Sequence, residues 1–475
     1  MDATTPGAKG LTHRETLLVV LGVLLPVFMG SLDNTILASA LPTIGREFGD
    51  VHNLPWLVTA YLIANTAVTA LYGKISDIYG RRRSLLIAIS LYIAGSLVCA
   101  LAPNMFVLIL GRVLHGLGGG GLTSTGMVVL GDIAAPKDRG KYYGYFSATY
   151  TTAGACGPVL GGFIAEYLHW SVIFWMNIPL GLIAVALTLT LLRKLPRHDR
   201  PHKLDFLGAF LIMTASVAFM LALSMGGVRH PWTSLPILAL FMVAFMVGAG
   251  FVVRLLTAPE PLIPLSILGD REARLSVIAN AFGWGPIVGL HIFLPMYLQN
   301  IVGMAPAAAG LSVLMLAVAL NVSAGVTGTI LPRQVHYKRI PIAGMMLAIA
   351  SVLVLAWRAE SVTLWEFQIL LFLIGIGFGC MPPLAATALQ NNVSIHTFGS
   401  AVATMQFSRN LIATMLVAVF GALILVGAAE GSSGALAQYS VQGFVLVFIA
   451  VAASFAVSLA ASILLTEKPL QTTHA

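Results

Sequence analysis

Fourteen apolar runs, nearly free of charge, follow one another along this chain: 17–40, 54–72, 85–102, 105–129, 143–168, 172–192, 206–225, 235–256, 275–298, 307–331, 342–357, 364–389, 398–426 and 441–465. At a helical rise of 1.5 Å per residue, runs of this length cross about 30 Å of hydrocarbon. Only 9% of the residues are charged, and the mean hydropathy is +0.91. A soluble domain carries about 25% charged residues, so this chain lacks the polar surface to face water all round. The sequence therefore predicts an all-α integral membrane protein.

The basic residues fix how the spans alternate. With a cytoplasmic N-terminus, the inward-facing segments hold 21 Lys and Arg when Arg254, at the inner end of its run, is counted with them, and the outward-facing ones hold three, Arg46, Arg229 and Arg358. The positive-inside rule predicts that asymmetry, and losing one span would scramble it. Both termini are then cytoplasmic. Ala38-Ser39-Ala40 looks like a leader cleavage site, but the run before it is too long for a signal peptide and contains Asp33. It is read as a retained span.

The formal net charge of +8 comes from short clusters such as Arg81-Arg82-Arg83 and the stretch 193–203. No basic stripe is interleaved with aromatics, so nucleic acid is excluded as a partner. Cys99, Cys156 and Cys380 all lie in apolar runs and form no disulfide framework or metal motif. No metal and no cofactor is expected.

The most polar inward connection, 193–203, follows six spans; two more spans and a Pro-rich stretch, 259–264, precede the last six. The plan is a cytoplasmic segment (1–16), a six-helix bundle (17–193), a linker with two extra helices (194–272), a second six-helix bundle (273–465) and a cytoplasmic tail (466–475). Paired bundles are a transporter design in which the substrate binds near the midplane. The outward loops are short and hold no glycosylation acceptor, which suits a bacterial cytoplasmic membrane; a monomer is expected.

Away from the ends of the runs, charge is confined to Asp33, Arg112 and Arg409, with His115 and His291 as titratable neighbours. An isolated charge at mid-bilayer costs about 2.5–3.5 kcal/mol on insertion scales, so each of these needs a reason. Asp33 and Arg112 fall roughly 12 and 10 Å below the same membrane face, a depth that permits an ion pair. Such a pair is either a static structural element or a switch that binds a proton when it parts. His115, three residues after Arg112, is either a relay or a hydrogen-bonded structural histidine. His291 suits packing or substrate contact, and Arg409 could meet an anionic group or a carbonyl. Asn34, Tyr61, Tyr150 and Tyr297 complete the candidate substrate cavity.

The run Gly116 to Gly121 lacks the Lys-Ser/Thr of a phosphate loop and lies within a span, so close helix packing explains it better. The same holds for Gly157-Pro158 and Gly161-Gly162.

Six blocks in order resemble the major facilitator superfamily, and within it the fourteen-span drug:proton antiporters. Leu32 to Ile44 (LDNTILASALPTI) is similar to that family's LDxTIVNVALPxI, and Gly73 to Arg83 (GKISDIYGRRR) to its GxLaDrxGrr signature. Arg112 to Gly118 (RVLHGLG) is similar to RxxQGxG, with His115 in place of Gln. Gly154 to Gly162 (GACGPVLGG) resembles the antiporter block GxxxGPxxGG, with Ala153 in place of its first Gly. Trp170 to Gly181 and Leu294 to Leu311 are similar to further family blocks.

The resemblance implies a fold of two six-helix bundles with a two-helix central insert. It also implies proton-coupled export of small amphiphilic molecules by alternating access. Asp33 would be the coupling carboxylate, Arg112 its electrostatic partner, and His115 a variant position. Gly73, Asp77, Gly80, Arg81 and Asp132 would form a conformational latch, with Asp77 facing the start of the thirteenth span near Gly399. Gly154, Gly157, Pro158, Gly161 and Gly162 would form the antiporter motif. Asp33 is the only deep acid and the intramembrane charge sums to +1, so neutral, weakly cationic or anionic cargo is expected rather than dications. The alternatives are a dedicated exporter of a lipid, siderophore or metabolite, and a sensor or scaffold that binds without translocating. An enzyme would need a nucleophile–base arrangement or a metal cluster, and the sequence offers neither.

Overall fold

A computed structural model describes residues 13–50, 53–133, 136–192, 205–226, 230–259, 261–263, 265–304, 306–331, 334, 336–393, 398–424 and 440–467. The segment 1–12, the basic connection 193–204 and the tail from 468 lie outside the described residues. So do the side chains of Asn34 and Pro158, whose backbones belong to helices.

Every apolar run becomes helical. The first six spans are α1 (His13–Phe48), α2 (Leu54–Tyr79), α3 (Arg81–Ala100), α4 (Met105–Ile133), α5 (Pro136–Tyr167) and a sixth split into α6 (Val172–Trp175) and α7 (Asn177–Leu191). A hairpin, α8 (Phe206–Met225) and α9 (Leu235–Thr257), follows, and then the short α10 (Leu265–Gly269). The rest are α11 (Arg271–Asn300), α12 (Pro306–Ile330), α13 (Arg339–Trp357), α14 (Leu364–Gly379) continued by α15 (Met381–Asn392), α16 (Phe398–Ile424) and α17 (Val441–Leu464). Pro382 and Pro383 open α15, where an imino acid costs the helix no inner hydrogen bond.

Thirteen candidate spans among the described residues are long and apolar enough to cross a membrane, and α5 is not among them. Its 32 residues are ample in length, but Tyr145, Thr149, Tyr150, Thr152 and Gly157 dilute its apolar character. The reason is its position: α5 packs between α1 and α12, so protein rather than lipid selects its residues. By contrast, the hairpin helix α9 turns Leu235 and Phe245 outward, 81% and 79% exposed, to surroundings that only hydrocarbon would suit.

Small residues set how closely the helices approach. A Cβ on Gly116 or Gly120 would run into the α2 backbone at Tyr61 and Asn65, and one on Gly118 into α3 at Tyr92. The glycine run of α4 therefore seats it against α2 and α3 together. Gly157 and Gly161 do the same for α5 against Thr35 and Ile36 of α1, where the Thr35 hydroxyl also donates to the Ala153 carbonyl at 3.2 Å. Gly154 and Gly162 face open space. The first and last groups of helices meet along α2–α16 and α5–α12. The hairpin α8–α9 lies against α2 and α16.

Candidate functional site

The intramembrane charges occupy two separate places. The first is sealed. Arg112 Nη1 lies 2.9 and 2.7 Å from the two Asp33 oxygens, and the paired side chains are 2% and 0% exposed. Arg112 Nε donates to the Leu57 carbonyl at 2.8 Å, and the guanidinium lies over the Tyr61 ring, 4.3 Å from its centroid. Desolvation of two charges is repaid only when pairing is this complete. Tyr61, whose ring is buried, serves as this platform and shares a hydrogen bond with Asn65.

Arg112 also fixes the tautomer of His115. Its Nη1 lies 2.9 Å from His115 Nδ1, and a guanidinium can only donate, so Nδ1 accepts and the ring proton sits on Nε2. That proton points at Ser96 Oγ, 3.0 Å away, which also accepts from Asn177 Nδ2 at 3.1 Å. His115 is thus a neutral link with an acceptor nitrogen 3.6 Å from Asp33 Oδ1. Ser96 and Asn177 stand out in the sequence only as polar residues within apolar runs.

The second place is a cavity where the two groups of helices meet. Phe146 and Tyr150 of α5 face Asn280 and Trp284 of α11, with Gln406 and Arg409 of α16 beside them. Asn321, Met405, Pro382 and Pro383 also line it, and its volume is about 80 Å³, room for a few waters. A larger cavity, about 550 Å³, lies between the hairpin and α16, but apolar side chains such as Phe219, Phe245 and Phe407 line it. Among the described residues, Ser216 is the only polar one in its lining, so it suits apolar groups better than a polar site. Arg409 stacks over Trp284, 5.4 Å from the ring centroid, and its Nε lies 3.3 Å from Asn410 Oδ1.

Tyr150 joins the two places. It is a near neighbour of both Arg409 and Ser31, and Ser31 lies two residues before Asp33. Of the other candidate cavity residues, Tyr297 sits in the core of the later helices against Phe367, Phe444 and Phe448, its hydroxyl donating to the Ala359 carbonyl at 2.6 Å. His291 Nδ1 bonds back to the Ile287 carbonyl of its own helix at 2.8 Å. Neither lines the cavity.

At the Arg81 end, Asp77 accepts from the backbone amides of Gly399 and Ser400 at 3.1 and 2.8 Å and from the Ser400 hydroxyl at 2.7 Å. A carboxylate at the first turn of α16 satisfies amides that have no helical partner and meets the positive end of the helix dipole. Arg81 bridges Asp77 at 2.5 Å and Asp132 at 2.6 Å, and all three side chains are almost buried. Two glycines make this geometry accessible. Gly80 turns the chain at φ +84°, and Gly73 lets α2 touch Ala403 and the Gly399 carbonyl, which any Cβ would overlap.

The sequence matches the Major Facilitator Superfamily over residues 23–417. It is 30% identical over 416 residues to the multidrug transporter protein MdtP of Bacillus subtilis (strain 168), covering 88% of this chain and 76% of that one. It is 29% identical over 423 residues to multidrug resistance protein 3 of the same organism, covering 89% and 81%. The fold is similar to that of the human organic anion transporter MFSD10, with a TM-score of 0.68 at 15% identity over 93% of this chain and 99% of that one. With two helix groups, a central cavity and this family match together, the chain belongs to the major facilitator superfamily.

Proposed function

We propose that this protein is a secondary transporter that exports amphiphilic small molecules of several kinds in exchange for protons. The observation that carries this reading is the sealed Asp33–Arg112 pair in the earlier helices together with a cavity, lined by Tyr150 and Arg409, where the two helix groups meet. Two relatives named for multidrug transport and resistance support the cargo class.

The chemistry follows from the pair. While Arg112 holds both Asp33 oxygens, the carboxylate keeps its charge. If the helices shift so that the pair parts, the buried acid is stable only with a proton bound. His115 Nδ1, the nearest acceptor, is freed by the same withdrawal of Arg112 and can pass the proton on. One proton moving down 150 mV yields about 3.5 kcal/mol, enough to hold a neutral-cargo gradient of a few hundred-fold.

The bound aspartate at the start of α16 closes the Arg81 end in this conformation. On the positive-inside orientation that end is cytoplasmic, so the state is closed to the cytoplasm, with both termini on that side and the chain acting as a monomer in a bacterial cytoplasmic membrane. The cavity of about 80 Å³ is far below the 300–1,000 Å³ of a typical ligand pocket, so cargo entry requires the α5–α12 and α2–α16 seams to open. Protons serve as the coupling ion, and no metal or organic cofactor is invoked.

The test is accumulation of lipophilic anions, cations and neutral compounds in cells lacking their own pumps. Wild type is expected to lower accumulation of several compounds. Asp33→Asn at matched expression, or an uncoupler, is expected to abolish the effect. Export that survives both treatments would exclude proton coupling through Asp33. Protection against a single compound would indicate a dedicated exporter instead.

A further inference from the structure

We infer that the cavity between the helix groups takes an amphiphilic monoanion, its carboxylate or sulfonate bound by Arg409. This inference rests on the export reading and narrows its cargo. Other strongly buried cations have their own counter-ions: Arg112 has Asp33, and Arg81 has Asp77 and Asp132. Even the partly exposed Arg254 has Asp205, at 3.0 Å. Among the described residues, no carboxylate pairs with Arg409. Its neighbours are neutral: the Asn410 side chain, the Tyr150 hydroxyl and the Trp284 ring.

The cavity wall agrees. Among the described residues no Asp or Glu lines it, and the polar groups beside Arg409 are amides, an indole and a phenol. Gln406, one turn before Arg409 and 3% exposed, lines the same cavity, and its side-chain oxygen has no hydrogen-bond partner. The amide oxygen and nitrogen exchange places by a half-turn of the terminal bond, which presents an NH2 donor instead. Tyr150 lines the same cavity, and its phenol can donate to an incoming anion. The Trp284 ring lies beneath the guanidinium. With Phe146 and Met405, it supplies an apolar wall for the body of the cargo. A cationic headgroup here would meet Arg409 at close range with nothing to offset the repulsion.

The charge arithmetic has a measurable consequence. Expelling a monoanion while admitting one proton moves two charges in the same direction across the membrane. Expelling a monocation for a proton moves none. Each charge moved is worth about 50-fold in the equilibrium ratio per 100 mV.

The experiment uses the full chain and three probes of one shape: a naphthalene sulfonate, the matching naphthyl trimethylammonium and a neutral naphthyl sulfone. Binding is measured in detergent, and transport in proteoliposomes at equal pH with a potential set by potassium and valinomycin. Wild type is expected to bind the sulfonate at least ten-fold more tightly than the ammonium ion. Arg409→Gln is expected to weaken sulfonate binding about 30-fold or more while leaving the neutral probe unchanged. Arg409→Lys should retain part of the affinity, which a merely structural arginine would not require. Gln406→Glu gives Arg409 an internal counter-ion and should abolish sulfonate binding without affecting the neutral probe, which covers the case in which Arg409→Gln does not fold.

Equal or tighter binding of the ammonium probe overturns the assignment. So does failure to bind any probe, or sulfonate binding that Arg409→Gln leaves intact. Proton-driven export of the ammonium probe alone would keep the export reading and overturn the anion site. Selective sulfonate binding with no transport would do the reverse.

Discussion

Two arginines within the membrane meet opposite fates. Arg112 is saturated: both oxygens of Asp33, the Leu57 carbonyl, His115 Nδ1 and the face of Tyr61 surround it. Arg409 has a ring beneath it and two neutral groups beside it. The first arrangement is electrically neutral and closed, and the second carries a net charge and opens on a cavity. A buried charge without a partner is expensive, so it persists where a partner arrives from outside. The difference suggests a division of labour in which the earlier helices hold the coupling ion and α16 holds the cargo, with Tyr150 between them.

Breaking the saturated site should have the largest effect. Asp33→Asn leaves Arg112 buried and uncompensated, a change worth about 3–5 kcal/mol of stability. It should also remove proton-driven export altogether. The double variant Asp33→Asn/Arg112→Gln removes both charges, so it should recover most of the melting temperature and none of the transport. Thermal unfolding in detergent and uptake into inverted vesicles separate the two effects. If the double variant pumps, the pair is a structural element and the division of labour collapses.

A smaller effect is expected where the two sites join. Tyr150→Phe deletes the hydroxyl that reaches Ser31 and Arg409 while keeping the ring against the cavity. Cargo affinity should change little, by about 1 kcal/mol for one hydrogen bond. The acceleration of export by a pH gradient should fall about ten-fold, because the link is lost rather than either site. A variant whose affinity collapses while its proton response is retained would place Tyr150 in the cargo site alone.

How much of this was legible beforehand depended on which solvent selected each residue. Hydrocarbon selects simply, and the run 206–225 coincides with α8 to the residue. Depth along a helix is also legible, because the rise is constant, so Asp33 and Arg112 could be set level with each other. Rotation about the axis was not. A span that is apolar all round gives no stripe to say which face meets which neighbour. The sequence therefore groups Tyr61, Tyr297 and His291 with Arg409 by residue type alone, although two of them pack within helix groups and His291 bonds to its own backbone. The cavity amides were missed for the same reason. The i, i+3 spacing of Gln406 and Arg409 was the one available signal for a polar face. The weak apolarity of α5 is visible in the sequence, but its cause, the contact with α12, lies beyond the hairpin and α11 in the chain.

The comparison sharpens if stability and function are made to part company at the second arginine. Arg112 cannot be removed alone without leaving Asp33 exposed to the same penalty. Arg409 has no such dependent, and replacing an unpaired buried charge with an apolar side chain of similar length is often neutral or stabilising. Arg409→Met should therefore leave the melting temperature unchanged or slightly raised. Marked destabilisation would show that Arg409 supports packing and is not waiting for a ligand.

The smallest effect is expected at an ion pair far from both arginines, where an equally good hydrogen-bond pattern meets water. Glu467, just after α17, lies 3.0 Å from His336 Nδ1 and accepts from the Lys338 amide at 2.9 Å. Partial burial works against its charge, but these donors outweigh it and hold the carboxyl below the ordinary glutamate value. The sign follows from that direction: the contact stabilises the fold above the unfolded pKa of about 4.3 and is lost as pH falls through the lower folded value. Since the glutamate side chain is 26% exposed and the histidine 54%, its worth should be about 0.2–1 kcal/mol. Glu467→Gln should cost that much near neutral pH, nothing in strong acid, and no transport at either. Unfolding curves for both proteins across that range would show the difference closing as the acid limit is approached. A loss of export comparable to that of Tyr150→Phe would mean that solvent-facing contacts at this end govern the cycle, and the contrast between the two arginines would no longer explain it.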